Sequence, residues 1–183
     1  VVLIYFAWQK IKMKYFFINL KGETRHFSIV NSPNEKGILT MTTRLRDSDF
    51  KKSLQELPLG TEVEIQRIAG KFTLPEDTSR PLVFIAGGIG ITPFMSMLRF
   101  IKEQGLNYRI TLIYSNRNQF STAFLDELQT LSSQIPNFKL ILSMTDDPNW
   151  TGDKRRVDAN LLKEYFPQPN INTYMVVGPP PMV

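Results

Sequence analysis

Gly87, Gly88 and Gly90, followed by Thr92 and Pro93, terminate the apolar run Leu82-Val83-Phe84-Ile85-Ala86. That run has the length and composition of a fully buried strand. Glycine has no Cβ, so the backbone beyond it can turn sharply and come close to a ligand. Thr92 suits a helix N-cap and Pro93 a first helical position, so the spacing predicts a strand, a glycine turn and a helix start. Free N–H groups and the helix dipole at such a start favour phosphate, and the chemistry expected is nucleotide binding. The spacing, Gly-Gly-x-Gly-x-Thr-Pro, differs from the dinucleotide fingerprint G-x-G-x-x-G.

A second set lies upstream, Arg25-His26-Phe27-Ser28-Ile29, then Asn31-Ser32-Pro33. On a strand, Arg25 and Phe27 share one face and His26 and Ser28 the other. The guanidinium can make paired, charge-assisted hydrogen bonds to a diphosphate. Phe27 can cover a flat heterocycle, and Ser28 can exchange a hydrogen bond with that ring's polar edge. A plain surface strand with an exposed arginine and a core phenylalanine accounts for the same residues. The third set closes the chain: a buried-type strand at Tyr174–Val177 runs into the stiff turn Gly178-Pro179-Pro180-Pro181-Met182.

These three segments resemble, in order, the motifs of the ferredoxin–NADP reductase-like flavoenzymes, over about residues 15–183. Arg25 to Ser28 is similar to the flavin signature Arg-x-Tyr/Phe-Ser/Thr. The glycine turn is similar to the nicotinamide-nucleotide motif, and Val177 to Met182 to the Cys-Gly-Pro-x-x-Met segment beside the nicotinamide. The resemblance implies FAD, with NADPH or NADH, and hydride transfer from nicotinamide to flavin followed by electron release to an unidentified acceptor. It places Arg25, His26, Phe27, Ser28 and Ser53 at the flavin; Lys51 and Lys52 stand where smaller residues are often found, and their charges, Lys52's among the flavin contacts, could bind the phosphates or merely face water. It places Gly87, Gly88, Gly90, Thr92, Pro93, Gly178, Pro179 and Met182 at the nicotinamide nucleotide, with Thr92 and Ser28 beside the reacting rings. Simple helix capping explains Thr92 equally well. Thr151-Gly152 through Arg156-Val157 resembles a loop near the adenosine, although Asp153-Lys154-Arg155-Arg156 also fits a solvated loop.

The second strand of the nucleotide half ends Tyr114-Ser115-Asn116-Arg117, without the acid that NAD selection commonly uses. Ser115 and Arg117 could take a 2′-phosphate, which favours NADPH, while Arg117 also fits an ordinary loop. Four features depart from the family. Trp8–Tyr15 lacks a Pro-Gly-Gln-like turn, Phe27 replaces the commoner Tyr, and Val177 stands in place of Cys. The chain also stops at Val183, before the segment that often covers the flavin. An incomplete barrel and a truncated nucleotide domain, as in a fragment of a longer polypeptide, are therefore expected.

Positioning these residues calls for two domains. Residues 1–79 are expected to form an antiparallel β-barrel that binds flavin. Residues 80–183 are expected to form an α/β parallel-sheet nucleotide domain. Apolar residues 1–8 fit a buried strand or the trailing end of a membrane helix, and residues 10–15 a strand with one wet face. Further strands are predicted around Arg25, over Ile38–Arg46 and Glu62–Ile68, with a short helix at Asp49–Leu57. Gly70–Leu74 resembles the barrel's closing turn, before a linker at Pro75–Pro81. The second half alternates strands 82–86, 109–115, 139–145 and 173–178 with helices 93–104, 122–133 and 158–166.

The chain has 183 residues, no cysteine, one histidine and a net charge of +5. Without cysteine it can hold neither a disulfide nor a cysteine-ligated iron–sulfur cluster, and one histidine excludes histidine-rich metal sites; no metal site is expected. Absence of cysteine fits a reducing, cytoplasmic compartment. The mild positive excess is spread over both halves, which suits anionic cofactors or an acidic partner and gives little support for nucleic acid. Three other functions suit the same residues: a non-catalytic nucleotide-binding module, the cytosolic part of a membrane haem or ferric reductase, and a free flavin reductase.

Overall fold

The computed structural model describes residues 2–5 and 15–183; the wet-faced strand expected at 10–15 lies outside these except for Tyr15. In the first half, β1 (Val2–Tyr5) pairs antiparallel with β4 (Ile38–Met41). A three-stranded antiparallel sheet is ordered β3 (Glu23–Ser28), β2 (Tyr15–Leu20), β5 (Glu64–Ala69). The described residues thus form two antiparallel ladders rather than one continuous barrel wall. Of β2, only Tyr15 falls within the strand predicted at 10–15. The β2 sequence alternates Phe16, Ile18 and Leu20 inward against Tyr15, Phe17 and Asn19 outward, a half-buried strand of period two. The inward set packs with Phe27, Leu39, Met41, Phe50 and Leu54 beneath α1 (Asp49–Glu56).

The strand expected to reach Arg46 leaves its ladder at Met41. Beyond that point side chains serve other partners: Thr43 accepts from Lys51, and Arg44 reaches residues of the second half.

The second half is a parallel sheet ordered β8 (Phe138–Met144), β7 (Ile110–Asn116), β6 (Leu82–Gly87), β9 (Thr173–Val177). Helices α2 (Thr92–Gln104), α3 (Leu125–Gln134) and α4 (Ala159–Tyr165) make the crossovers. All six residues of β6 are buried, as expected for a central parallel strand. From α2, Phe94, Met97, Leu98 and Ile101 enter the core, each stabilising the fold by about 1.5–3 kcal/mol. Phe94 stacks on Phe84 at 4.6 Å. The helix expected over 122–133 begins only at Leu125. Asn118 and Ser121 cap each other reciprocally in a preceding 3₁₀ turn, and Phe124 is left-handed at φ 60°, which delays the helix.

The two halves are bolted together by polar bonds. Ser96 donates to the Asn31 carbonyl at 2.7 Å and Arg99 to the Val30 carbonyl at 3.0 Å. Glu103 accepts from Ser32 and, at 2.8 Å, from Asn34. Ser96, Arg99 and Glu103 follow one another at three- and four-residue spacing and so share one face of α2. Val30, from the first half, sits in the core of the second.

Candidate functional site

Strand order fixes where a ligand can go. The chain moves outward from β6 through β7 to β8, then returns to place β9 on the other side of β6. The crevice at such a reversal, beyond the carboxyl ends of the strands, is where open α/β sheets bind ligands. The turns after β6 and β9 flank this point.

The outer face of the three-stranded sheet meets the crevice from the other side. Across the ladder His26 pairs with Phe17, and Ser28 with Tyr15. Rings of Tyr15 and Phe17 lie 5.5 Å apart, Tyr15 and His26 5.6 Å, Phe17 and His26 5.9 Å. Arg67 sets its guanidinium 4.4 Å over Phe17. This aromatic plate walls a cleft of about 480 Å³ that is completed by Ser28, Ile29, Gly70 and Phe72, and by Pro93 and Val177 from the second half. Ligand clefts span about 300–1,000 Å³ and join apolar walls to a few polar groups, as His26 and Ser28 do here.

The glycines serve the crevice in a way the sequence did not reveal. A Cβ on Gly90 would lie 2.3 Å from the Val177 carbonyl oxygen, and one on Gly87 2.7 Å from Pro179 Cδ and 2.9 Å from Met182 Sδ. One on Gly178 would lie 2.6 Å from Met182 Sδ. The close approach expected for a ligand is taken by the C-terminal turn, so these glycines clamp two strand ends together. Gly88 has φ +55° and faces the Arg44 guanidinium, whose Nη2 would be 3.4 Å from a Cβ there. Arg44 also donates to Asn116 Oδ1 at 3.2 Å and to the Ser121 carbonyl at 3.0 Å, bringing a first-half cation to the nucleotide turn.

Residues 84–183 match the oxidoreductase NAD-binding domain family. The chain belongs to this family. NADH-cytochrome b5 reductase 1 of Mortierella alpina is 28% identical over 170 residues, covering 91% of this chain and 57% of that protein. The crystal structure of Amycolatopsis cytochrome P450 reductase GcoB superposes with a TM-score of 0.82 at 21% identity, over 98% of this chain and 55% of that one. A Neisseria gonorrhoeae ferredoxin NADP+ reductase with bound FAD and NADP gives 0.79 at 22% identity, over 97% and 76%. The chain thus has the fold of ferredoxin–NADP reductases and spans little more than half the length of the curated relatives it matches first.

Within this oxidoreductase NAD-binding fold, the predicted residues separate into groups. His26, Ser28 and Pro93 meet in the cleft. Arg25 and Phe27 take the opposite face of β3; Phe27 is 8% exposed beneath α1 and cannot cover a ring in the cleft, a place filled instead by Tyr15, Phe17 and Phe72. The alternation of Tyr15 and Phe17 against Phe16 and Ile18 was the available signal. On α1, Lys52 pairs with Asp47 at 2.7 Å and Ser53 is half-buried, whereas Lys51 is the lysine that joins Arg25. Thr92 is the first residue of α2 rather than its cap, because the 3₁₀ turn Gly88–Ile91 runs directly into the helix. Its buried hydroxyl donates to the Ile89 carbonyl at 3.1 Å, while the next residue, Pro93, faces the cleft. Ser115 is buried beside Gly87 in the ladder, and Arg117 is exposed on the following loop.

The basic loop is occupied with itself. Arg155 binds Asp153 at 2.6 Å and Glu164 at 2.7 Å, and Lys154 donates to the Pro148 carbonyl at 3.0 Å. The Arg155 guanidinium holds the Asp153 carboxyl below its ordinary range. This favours the solvated-loop reading over a phosphate grip. Burial pushes the Tyr114 phenol up to about 12, so it stays protonated and donates to the Ala123 carbonyl at 3.2 Å.

Proposed function

We propose that this chain forms the core of an FAD-containing reductase that takes hydride from NADPH or NADH and passes electrons to an acceptor protein or small molecule. In this reading residues 1–79 belong to a flavin-binding β-barrel domain and 80–183 to the nicotinamide-nucleotide domain, working in a reducing compartment such as the cytoplasm. The observation that carries it is the cleft across the seam, with an aromatic plate from one half facing Pro93 and Val177 of the other. Its volume and lining fit a flat heterocycle, and the Arg25 and Lys51 cations nearby fit a diphosphate. When bound, the flavin supplies the two-electron and one-electron chemistry that no side chain here can perform.

The protein's own contribution is position and exclusion of water. Tyr15, Phe17 and Phe72 hold the ring plane, and Ser28 offers a hydroxyl to its polar edge. Pro93 and Val177, neither with a polar side chain, line the side from which a nicotinamide would approach. Near-contact geometry of about 3–3.5 Å between reacting atoms makes the clamped glycine turns matter more than any acid or base. Ser115 and Arg117 would select the 2′-phosphate of NADPH. The relative from Mortierella alpina, named for cytochrome b5, supports a haem protein as one class of acceptor.

Steady-state reduction of an artificial one-electron acceptor tests this reading. NADPH should drive turnover better than NADH, and Arg117→Ala should narrow the preference by raising KM for NADPH alone. Flavin-loaded protein that binds nucleotide without turnover would favour the non-catalytic module instead.

A further inference from the structure

Of the seven methionines, all but Met13 fall within the described residues. Met41, Met95, Met97 and Met144 are 0% exposed, and Met175 is 8% exposed. Met182 is the one described methionine that solvent reaches in part. Thioether oxidation follows access, so a peroxide in solution meets this sulfur before the others.

The same sulfur closes the glycine clamp. Met182 Sδ fills the space that the absent side chains of Gly87 and Gly178 leave, where a Cβ would lie 2.9 and 2.6 Å from it. The Met182 N–H donates to the Pro179 carbonyl at 2.8 Å and so folds the turn back toward Gly87. Pro179 Cδ meets the Gly87 position from the same side, at 2.7 Å from a Cβ there. Gly87 opens the nucleotide turn, and Val177, just before Gly178, lines the cleft. An apolar, polarizable thioether suits this tight place against backbone. A sulfoxide adds an oxygen atom and a polar S–O bond to a sulfur already in contact.

We propose that Met182 is an oxidation site through which hydrogen peroxide lowers the affinity of this protein for its nicotinamide nucleotide. The effect on affinity rests on the nucleotide reading of the glycine turn, whereas the site rests on the exposure and packing of the sulfur. The sulfur lone pair attacks one peroxide oxygen, so an S–O bond forms as the O–O bond breaks. The thioether is oxidised by two electrons and the peroxide is reduced; the transferred hydroxyl gives its proton to the departing hydroxide, which leaves as water. The sulfoxide no longer fits between Gly87 and Gly178, and the clamp that sets the nucleotide turn against β9 loosens. Methionine sulfoxide reductases return the thioether, so the change is reversible.

Peroxide titration, followed by peptide mass spectrometry and by binding of NADP+ and NAD+, tests both parts. Met13→Leu, carried in every sample, removes the methionine outside the described residues. The peptide holding Met182 should gain one oxygen before the peptides holding the buried methionines. Nucleotide affinity should then fall by about 5- to 150-fold, the usual span of coupling between two sites, and recover after treatment with methionine sulfoxide reductase and dithiothreitol. In Met182→Leu, which keeps an apolar side chain of similar volume, treated and untreated samples should bind alike. Oxidation falling first on a buried methionine would overturn the site. Met182 sulfoxide with undiminished affinity, or an equal loss in Met182→Leu, would overturn the regulation. Untreated protein that binds neither nucleotide would refute the nucleotide reading and the regulation with it, while the order of oxidation still decides the site.

Discussion

At the residue scale, what a glycine touches decides what its replacement costs. The atom facing Gly90 is the Val177 backbone oxygen, which cannot rotate away. Gly90→Ala should therefore destabilise the protein by about 1–3 kcal/mol, the range for overpacking, measured by denaturant unfolding. Gly87 faces Pro179 and the flexible end of Met182, and part of that strain can relax. Asp153 offers a pH test. Its carboxyl is depressed first by the Arg155 hydrogen bond, so it contributes stability that is present above the ordinary aspartate value of 3.8 and lost as pH falls through the folded one. Asp153→Asn should flatten that part of the acid limb of the stability–pH curve; an unchanged limb would show that the pair adds nothing.

At the scale of elements, α2 both starts at the crevice and holds the halves together. Arg99 is central to the holding, because it binds Glu127 through two nitrogens at 2.7 and 2.9 Å and also the Val30 carbonyl. Arg99→Leu keeps much of the apolar stem but removes all three bonds. It should cost about 1–3 kcal/mol and, by loosening the seam, raise solvent exchange at the Val30 and Thr40 amides in hydrogen-exchange measurements. The alternation of strands and helices in the second half was plain in the sequence, because β6 is a continuous apolar run and α2 has clear helical spacing. The Asn31-Ser32 turn was less transparent. It resembled part of a cofactor signature, yet both residues are fully buried against α2, and only the fold reveals which helix face they meet. The same holds for Arg44, whose partners lie 72 and 77 residues away.

At the scale of the whole molecule, the seam is an interior rather than a hinge between independent parts. Val30 lies in the second core, Phe72 packs edge-on to Phe94 at 5.7 Å, and the cleft takes its walls from both halves. Thermal unfolding monitored by backbone and by aromatic circular dichroism should therefore give coincident single transitions, and two separated transitions would mean that the halves fold independently. Of the residues the motifs singled out, His26, Ser28 and Pro93 line the cleft, and the face of β3 turned to it follows from the β2–β3 pairing and not from the motif. Thus His26 and Ser28 reach the cleft while Arg25 and Phe27 serve the opposite side. The most direct test of a flavin meeting a reduced nicotinamide in this cleft is an absorbance spectrum of the FAD-loaded protein before and after anaerobic NADPH. The flavin band should bleach in proportion to the NADPH added. A band that persists with both nucleotides bound would contradict the account.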